Sequence, residues 1–382
     1  MPTLRSLTLS LFTLCLLCAS AAAQAQTASH HAAARTNAAA LTLAPIDKGE
    51  RERLINKAQV WRGVDAASLD LFRGPKDTSS IPLDEASASG KPLDCEYIPW
   101  GGQNVKHTDS KTPKFSCRLS NGERIKVKYD LRNREIFSEI IGTRLAWATG
   151  FLADAVYAVS LNCKGCPSDP WAAKDGEKGS GQVYQLAAVE REVPGKSIKI
   201  DAAGGFDFKE VEKISEAEGG APRAHVDALK LLATLVYYND AKPENQRILC
   251  PPDAITSDGR CSQPYMMLDD MGATFLGSGG FLGGSGKKAS LKGWAKRPVF
   301  KDRACTGNVP GDSNSTLRSP RISEAGRAFL AQRLTELRKN NLVDIFRAAH
   351  VAEVPGEANT PEAWAAALDA KINEIVSTRC GR

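Results

Sequence analysis

The chain has 382 residues, of which 42% are hydrophobic and 25% charged, and its formal net charge is +6. This composition is typical of globular proteins, and it excludes a fibrous or a wholly disordered chain. The positive excess is small, so it does not indicate a nucleic-acid partner, and we expect none.

Residues 1–25 have the pattern of a signal peptide. Arg5 supplies the positive start, Leu7–Leu17 is mostly apolar, and Ala23-Gln24-Ala25 fits a cleavage site. The apolar run of roughly ten residues is too short to cross a bilayer. We therefore predict an exported protein, periplasmic or secreted, with no transmembrane segment after cleavage. Residues 26–44, rich in Ala and Thr, predict a flexible leader.

Eight cysteines lie beyond the signal peptide, and an even number in an exported chain indicates disulfide bonds. The sequence leaves their connectivity open, because eight cysteines can pair in many ways. Short separations favour three local pairs and leave one long-range pair near the C-terminus. The expected pairs are Cys95–Cys117, Cys163–Cys166, Cys250–Cys261 and Cys305–Cys380.

Residues 45–86 predict a helical N-terminal extension, with helices over Ile46–Trp61 and Val64–Arg73. A β-rich stretch follows. Lys114–Leu119 and Arg124–Tyr129 alternate apolar and polar residues on either side of Asn121-Gly122, which predicts a hairpin.

The rest of the chain alternates strands and helices, with apolar residues at helical spacing in the longer segments. We predict strands over Ala155–Leu161, Gln182–Glu190 and Tyr265–Leu268. We predict helices over Glu135–Gly150, Phe208–Glu218, Pro222–Tyr238, Ser323–Lys339 and Pro361–Thr378. The class predicted is α+β. His225, near the start of one helix, is expected to be structural, because no nucleophile accompanies it in sequence.

The residues with the clearest chemical pattern lie between two of these elements. Asp240, Lys242 and Asn245 are spaced as Asp-x-Lys-x-x-Asn, and Asp270-Met-Gly272 follows at the end of a predicted strand. Phosphoryl transfer needs a carboxylate that orients the attacking hydroxyl and oxygen ligands that hold a divalent ion. A tight loop and a neighbouring strand end can supply both.

This pattern resembles the catalytic loop and the metal-binding Asp-x-Gly of the protein-kinase-like superfamily. Tyr238 and Asn239 stand where most protein kinases have His-Arg. That departure is similar to the atypical kinases: the phosphatidylinositol 3/4-kinase-like group, the secreted Golgi casein kinases and the spore-coat kinases. The resemblance implies a two-lobed fold, with a small mixed β-rich lobe over 87–190 and a larger, mainly helical lobe over 191–382.

The resemblance also implies roles for the loop residues. Asp240 would deprotonate a hydroxyl acceptor and Lys242 would stabilise the transferred group. Asn245 and Asp270 would bind Mg²⁺ or Mn²⁺ on ATP. Asp269 would bind the metal in place of Asp270 only if the match to the Asp-x-Gly motif were shifted by one residue.

Two further residues are implied upstream, where Ile125–Lys128 resembles the strand that carries the phosphate-binding lysine of kinases. Lys128 fits best, and Lys126 is the alternative. The glutamate that pairs with this lysine would lie on the following helix and would be Glu139 or, one turn earlier, Glu135. Backbone groups near Ala188–Glu190 would meet the adenine.

The resemblance places Ala273–Arg303 at an activation segment, and its glycines and basic residues suit an anionic acceptor. Whether the acceptor is a protein, a lipid or a sugar stays open. A glycine pair at Gly101-Gly102 is a weak signal for a phosphate-covering loop. Two alternatives also stay open: a catalytically inactive kinase-fold binding module of the cell envelope, and a disulfide-handling protein that uses Cys163 and Cys166.

Overall fold

The structure is a computed structural model that describes residues 43–99, 112–198, 205–275, 290–311, 314–354 and 359–381. The predicted signal peptide, most of the predicted leader and Gly101-Gly102 lie outside the described residues. So does 276–289, the most glycine-rich part of the predicted activation segment.

The N-terminal region is less helical than the sequence pattern predicts. Helix α1, Lys48–Asn56, begins after Asp47, whose Oδ1 accepts a hydrogen bond from the Glu50 amide at 2.8 Å. The predicted helix over Ile46–Trp61 is about half as long: the Asp47 cap removes two residues at its start, and five are lost at its end, where Gln59 and Trp61 instead form bridges with Tyr265 and Phe151. The predicted helix over Val64–Arg73 is reduced to a 3₁₀ turn at Ala66–Ser68.

A second helix, α2, spans Leu83–Ser89 and was not predicted from the sequence. It ends at Gly90, whose φ of 65° is the left-handed conformation common after a helix.

Five strands form a closed barrel in the order β1-β2-β3-β5-β4. Neighbours pair antiparallel, except that β1 and β4 close the barrel in parallel. The predicted hairpin at Asn121-Gly122 is present and joins β2 to β3. The strands are β1 Leu93–Ile98, β2 Lys114–Leu119, β3 Arg124–Lys128, β4 Ala155–Lys164 and β5 Gln182–Arg191.

Side chains alternate between the barrel interior and its outer face, as the period of a strand requires. Phe115 and Val127 are fully buried in the interior cluster, and their neighbours Lys114 and Lys128 therefore belong to the outer face. This alternation sets which strand residues can reach the rest of the molecule.

Helix α3, Glu135–Ala148, packs on the outside of the barrel against β4. Nearly all of its residues are buried, the polar Ser138, Glu139, Thr143 and Arg144 included, because other elements pack on more than one side of the helix. The helix ends at Thr149, whose carbonyl accepts from the Trp61 indole at 2.9 Å. Gly150 follows with a φ of 87°, and a side chain there would overlap that indole.

The second half of the described chain is mainly helical and contains one small sheet in the order β6-β7-β8. The sheet consists of β6 Lys196–Ser197, β7 Gln246–Cys250 and β8 Tyr265–Leu268. The helices are α4 Arg223–Leu235, α5 Leu291–Lys296, α6 Glu324–Leu337, α7 Val343–Ala348 and α8 Pro361–Ser377. Their apolar faces form one large core cluster.

The predicted helix over Phe208–Glu218 is wrong. Two 3₁₀ turns, Glu210–Lys213 and Glu216–Glu218, stand in its place. Ser215 lies between them in an extended conformation, and its amide donates to the Asn56 carbonyl at 2.9 Å. That tertiary hydrogen bond takes a donor that a continuous helix would use internally.

The fold is mixed α+β, which confirms the class predicted from the sequence. All four predicted disulfide bonds are present, joining Cys95–Cys117, Cys163–Cys166, Cys250–Cys261 and Cys305–Cys380. Among the described residues, no helix combines the length and apolar character needed to span a bilayer.

Candidate functional site

The candidate site begins where helix α4 ends. Tyr237 follows the helix with a φ of 55°, a left-handed conformation that is uncommon for a residue with a bulky side chain. Its amide still bonds the Thr234 carbonyl at 3.0 Å, so the turn closes the helix and redirects the chain. Tyr238 is then fully buried, and the chain emerges at Asn239 and Asp240.

The three residues of the Asp-x-Lys-x-x-Asn pattern lie in contact. The Asn245 side-chain amide donates to the Asp240 carbonyl at 2.7 Å, across a 3₁₀ turn at Pro243–Asn245. Lys242 Nζ lies 3.7 Å from Asp240 Oδ2. The loop thus holds a carboxylate, an ammonium and an amide together.

The same loop is joined to the segment that carries Asp270. Strands β7 and β8 pair with Gln246 opposite Leu268, which brings Asn245 beside the residues that follow β8. The Asn245 carbonyl accepts from the amides of Asp269 and Asp270, at 3.1 and 3.3 Å. Asp240 and Asp270 are therefore linked through a single residue.

Tyr238 fixes this junction from the buried side. Its hydroxyl oxygen lies 2.8 Å from the carbonyl oxygens of both Asn245 and Asp270. It also accepts from the Gln246 side-chain amide at 3.1 Å. The sequence pattern did not single out Tyr238 as a support; the only signal is its position two residues before Asp240 in a strongly apolar helix end.

Lys128 reaches this junction from the barrel. Its Nζ lies 2.5 Å from Glu139 Oε1 on α3 and 3.8 Å from Asp270 Oδ1. Lys128 and Glu139 are almost completely buried, whereas the Asp270 side chain is 46% exposed and accessible to a ligand. The structure thus brings three sequence-predicted site residues into one cluster.

The two alternative residues have other partners. Lys126 Nζ lies 2.5 Å from Glu190 Oε2 on β5. Glu135 accepts a hydrogen bond from the Thr112 hydroxyl. Of the pairs left open by the sequence, the geometry therefore joins Lys128 to Glu139.

Helix α3 is held tightly against the segment around Asp270. Ser138 and Thr274 exchange hydrogen bonds between each hydroxyl and the other residue's carbonyl, at 3.2 and 3.3 Å. Gly142 faces Met271 so closely that a Cβ at Gly142 would lie 3.2 Å from Met271 Cβ. The absence of a side chain at Gly142 therefore lets Asp270 approach Glu139 and Lys128.

The charges in the cluster shift one another's proton affinities. Burial raises the pKa of Glu139 to about 7, although the Lys128 charge opposes this. Burial alone would lower the pKa of Lys128, but the Asp270 and Glu139 carboxylates raise it well above its usual value. The protein around the 46% exposed Asp270 side chain also disfavours its ionised form, yet Lys128 and the Gly272 amide bring its pKa down to about 2. Asp270 is therefore ionised throughout the physiological pH range.

The donor set suits a hard divalent cation. Mg²⁺ and Mn²⁺ prefer carboxylate and carbonyl oxygens. Asp270 offers an ionised and accessible carboxylate, and the nitrogen of the Asn245 amide is occupied by Asp240, which leaves its Oδ1 as the atom for a ligand. These two residues fit the metal role that the resemblance implies, and that role stays a prediction.

The expected adenine contact at Ala188–Glu190 does not fit the strand pairing. These residues lie inside β5, with Ala188 paired to both Lys128 on β3 and Ala158 on β4. Strand β5 continues to Arg191, so a connecting segment begins only at Glu192. Ala188 and Val189 are paired on both sides of the strand, and Glu190 is paired with Val156 on one side.

Among the described residues, the basic side chains of the predicted activation segment lie on α5 and directly after it. Residues 276–289, with Lys287 and Lys288, lie outside the described residues. Lys292 and Lys296 are exposed on α5, which Trp294 anchors by donating to the Leu235 carbonyl at 2.8 Å. Arg297 lies over the Tyr237 ring at 4.0 Å, close to the turn that precedes Asp240.

The Cys163–Cys166 pair is poorly placed to exchange disulfides with another protein. Both cysteines are buried, with 1% and 2% of their surface exposed. Cys163 Sγ lies 3.9 Å from Cys117 Sγ inside the barrel cluster. A thiol of another protein could not reach these sulfurs without opening the barrel, which favours a structural role.

His225 has the structural surroundings that the sequence suggested. Its ring lies 4.3 Å from that of Phe329 and 5.1 Å from that of Trp61, centre to centre.

No protein-family model and no curated protein matches this sequence. Among solved structures, the chain is similar to the Helicobacter pylori proinflammatory kinase CtkA, with 10% sequence identity and a TM-score of 0.40. The match covers 76% of this chain and 96% of that chain. A likeness of this size carries no inference about activity.

Proposed function

We propose that this protein is an exported atypical kinase that transfers the γ-phosphoryl group of ATP to a hydroxyl. One observation carries the proposal: the Lys128 ammonium lies between Glu139 and Asp270, and Asn245 joins Asp270 to Asp240. A buried lysine held by a helix glutamate, next to an accessible aspartate and a loop aspartate, is the set of groups that phosphoryl transfer uses.

The residues of the cluster have separable tasks under this proposal. Lys128 binds the nucleotide phosphates as a fixed positive charge, and Glu139 holds it in place. Asn245 and Asp270 hold the divalent cation, which when bound offsets charge on the phosphate oxygens.

The chemical step falls to the loop before β7. Asp240 orients the acceptor hydroxyl and takes its proton as the new oxygen–phosphorus bond forms. The bond between the γ-phosphorus and the bridging oxygen breaks, and ADP leaves. Lys242, 3.7 Å from Asp240, supplies positive charge beside the group in transfer.

Export is the second part of the proposal. Four disulfide bonds in a chain of this size are typical of an oxidising compartment. The signal-peptide pattern of residues 1–25 agrees with this. The acceptor is a hydroxyl on a protein, a lipid or a sugar, and the basic residues of 273–303 favour an anionic one.

The test is transfer of labelled phosphate from ATP by the purified, oxidised protein. Its own chain, a mixture of secreted proteins and lipid vesicles would be offered as acceptors, with Mg²⁺ or Mn²⁺. We expect transfer by the wild type and a loss of at least about 100-fold in Asp240→Asn, in line with removal of a general base. Asp253→Asn, which removes an exposed carboxylate from the loop closed by Cys250 and Cys261, is the matched control.

Metal-dependent ATP binding without any transfer would instead support the inactive binding module. A wild type that neither binds ATP nor transfers phosphate would contradict the proposal as a whole.

A further inference from the structure

Three lysines share the outer face of the β2–β3 hairpin. Lys114 lies directly opposite Lys128 in the strand register, and Lys126 precedes Lys128 by two residues on the same face. Residues opposite one another in an antiparallel pair have side chains within contact distance. The cluster around Lys128 is therefore more basic than the sequence motif indicates.

Two of these lysines have a carboxylate partner and the third has none in the described part of the chain. Lys128 contacts Glu139 and Asp270, and Lys126 contacts Glu190. Lys114 is half-buried, and among the described residues it has no carboxylate within 4.0 Å and no hydrogen bond from its ammonium.

The electrostatic surroundings of Lys114 are unfavourable without a ligand. Burial lowers its pKa, and the charges of Lys128 and Lys126 lower it further, against a weaker opposing effect of Asp270 and Glu139. Glu135 also lies at this face and accepts a hydrogen bond from Thr112; burial raises its pKa, which weakens the negative charge that it offers to Lys128 and Lys114. An anion placed between the lysines would relieve this repulsion.

We propose that Lys114 is a second phosphate-binding residue, which contacts the triphosphate of the nucleotide beside Lys128. The inference rests on the proposed function, because it takes the ligand of Lys128 to be a nucleoside triphosphate. Its place directly across the strand pair from Lys128 puts Lys114 within reach of the same phosphate chain, whereas the acceptor is expected at Asp240. A lysine ammonium is a compact charge that suits phosphate oxygens.

The test compares binding of ATP with Mg²⁺ and binding of adenosine by calorimetry. Lys114→Met removes the charge and keeps much of the side chain, and Lys114→Arg retains the charge. Lys164→Met, at the exposed end of β4, is the matched control for loss of one lysine.

We expect Lys114→Met to weaken ATP binding about tenfold or more, the effect of losing one charged hydrogen bond. Adenosine binding should change less than about twofold, and Lys114→Arg should keep most of the ATP affinity. The thermal midpoint of ligand-free Lys114→Met should equal or exceed that of the wild type, because a like-charge repulsion is removed.

Three results would overturn this role. In the first, Lys114→Met binds ATP as tightly as the wild type; the role of Lys114 would then be wrong, but the proposed kinase activity would still stand. In the second, Lys114→Met loses ATP and adenosine affinity equally, which would indicate a structural role. A wild type that does not bind ATP would remove both proposals together.

Discussion

The Lys128 ammonium lies 3.8 Å from the Asp270 carboxylate, although the first residue belongs to the barrel and the second follows β8. Glu139, on α3, holds the same ammonium at 2.5 Å. Three separate parts of the chain therefore meet at one charged group. The position of α3 against the barrel determines whether the cluster forms.

Replacing Lys128 with Met should remove the increase in thermal midpoint that ATP and Mg²⁺ produce in the wild type. The variant should also lose about 3 kcal/mol of unfolding free energy, because Glu139 stays buried without its partner. The double variant Lys128→Met/Glu139→Gln should regain part of that loss, since neither charge is then buried. Urea unfolding measures this, and a double variant no more stable than the single one would contradict the buried-pair account.

Asp270→Asn should abolish the metal dependence of ATP binding while leaving the fold intact. The Asp270 side chain is 46% exposed, so its loss removes a ligand rather than core packing. Asp269→Asn is the matched control: Asp269 Oδ1 faces Arg247 Nε at 3.8 Å instead of Lys128. Calorimetric titration with ATP and Mg²⁺ tests the pair. Loss of metal dependence in Asp269→Asn alone would favour the motif match shifted by one residue.

Removal of the Cys305–Cys380 bond should destabilise the protein more than removal of the Cys163–Cys166 bond. The first closes a separation of 75 residues and the second a separation of three. The loss of unfolded-chain entropy predicts costs of about 4 and about 2 kcal/mol. The double Ala variants of each pair, unfolded in urea without reductant, measure both costs. Equal costs would show that chain entropy does not dominate here.

His225 should make the protein lose stability on acidification. Burial among aromatic rings lowers the pKa of His225 below its usual 6.5, so the folded state binds this proton less readily than the unfolded state. Stability contributed by the neutral ring is complete above about pH 6.5 and declines as the pH falls through the lower folded-state pKa.

The measurement is the unfolding free energy of wild type and His225→Phe between pH 7.5 and pH 5.5. The wild type should lose more unfolding free energy than His225→Phe over this range. Between pH 7.5 and pH 9 the unfolding free energies of the two proteins should change in parallel. Parallel curves over the acidic range as well would contradict the assignment.

Local patterns predicted the elements whose geometry depends on nearby residues. The hairpin at Asn121-Gly122 formed as expected because a short turn sets its own register. That register also places Lys114 opposite Lys128, so a closer reading of the turn would have found the third lysine. The interruption at Ser215 was not predicted, because a tertiary partner such as the Asn56 carbonyl leaves no local signal. Helix α2 was not predicted although Gly90, directly after it, is a local end signal.

The spacing of Asp240, Lys242 and Asn245 could be read from the chain, since a single tight turn holds all three. The choice between Lys126 and Lys128, or between Glu135 and Glu139, could not. Side chains two residues apart on a strand, or four apart on a helix, lie on the same face. The periodicity of the sequence therefore cannot distinguish the two members of each pair. Packing of α3 on the barrel sets which lysine and which glutamate contact each other beside Asp270, and only long-range contacts contain that information.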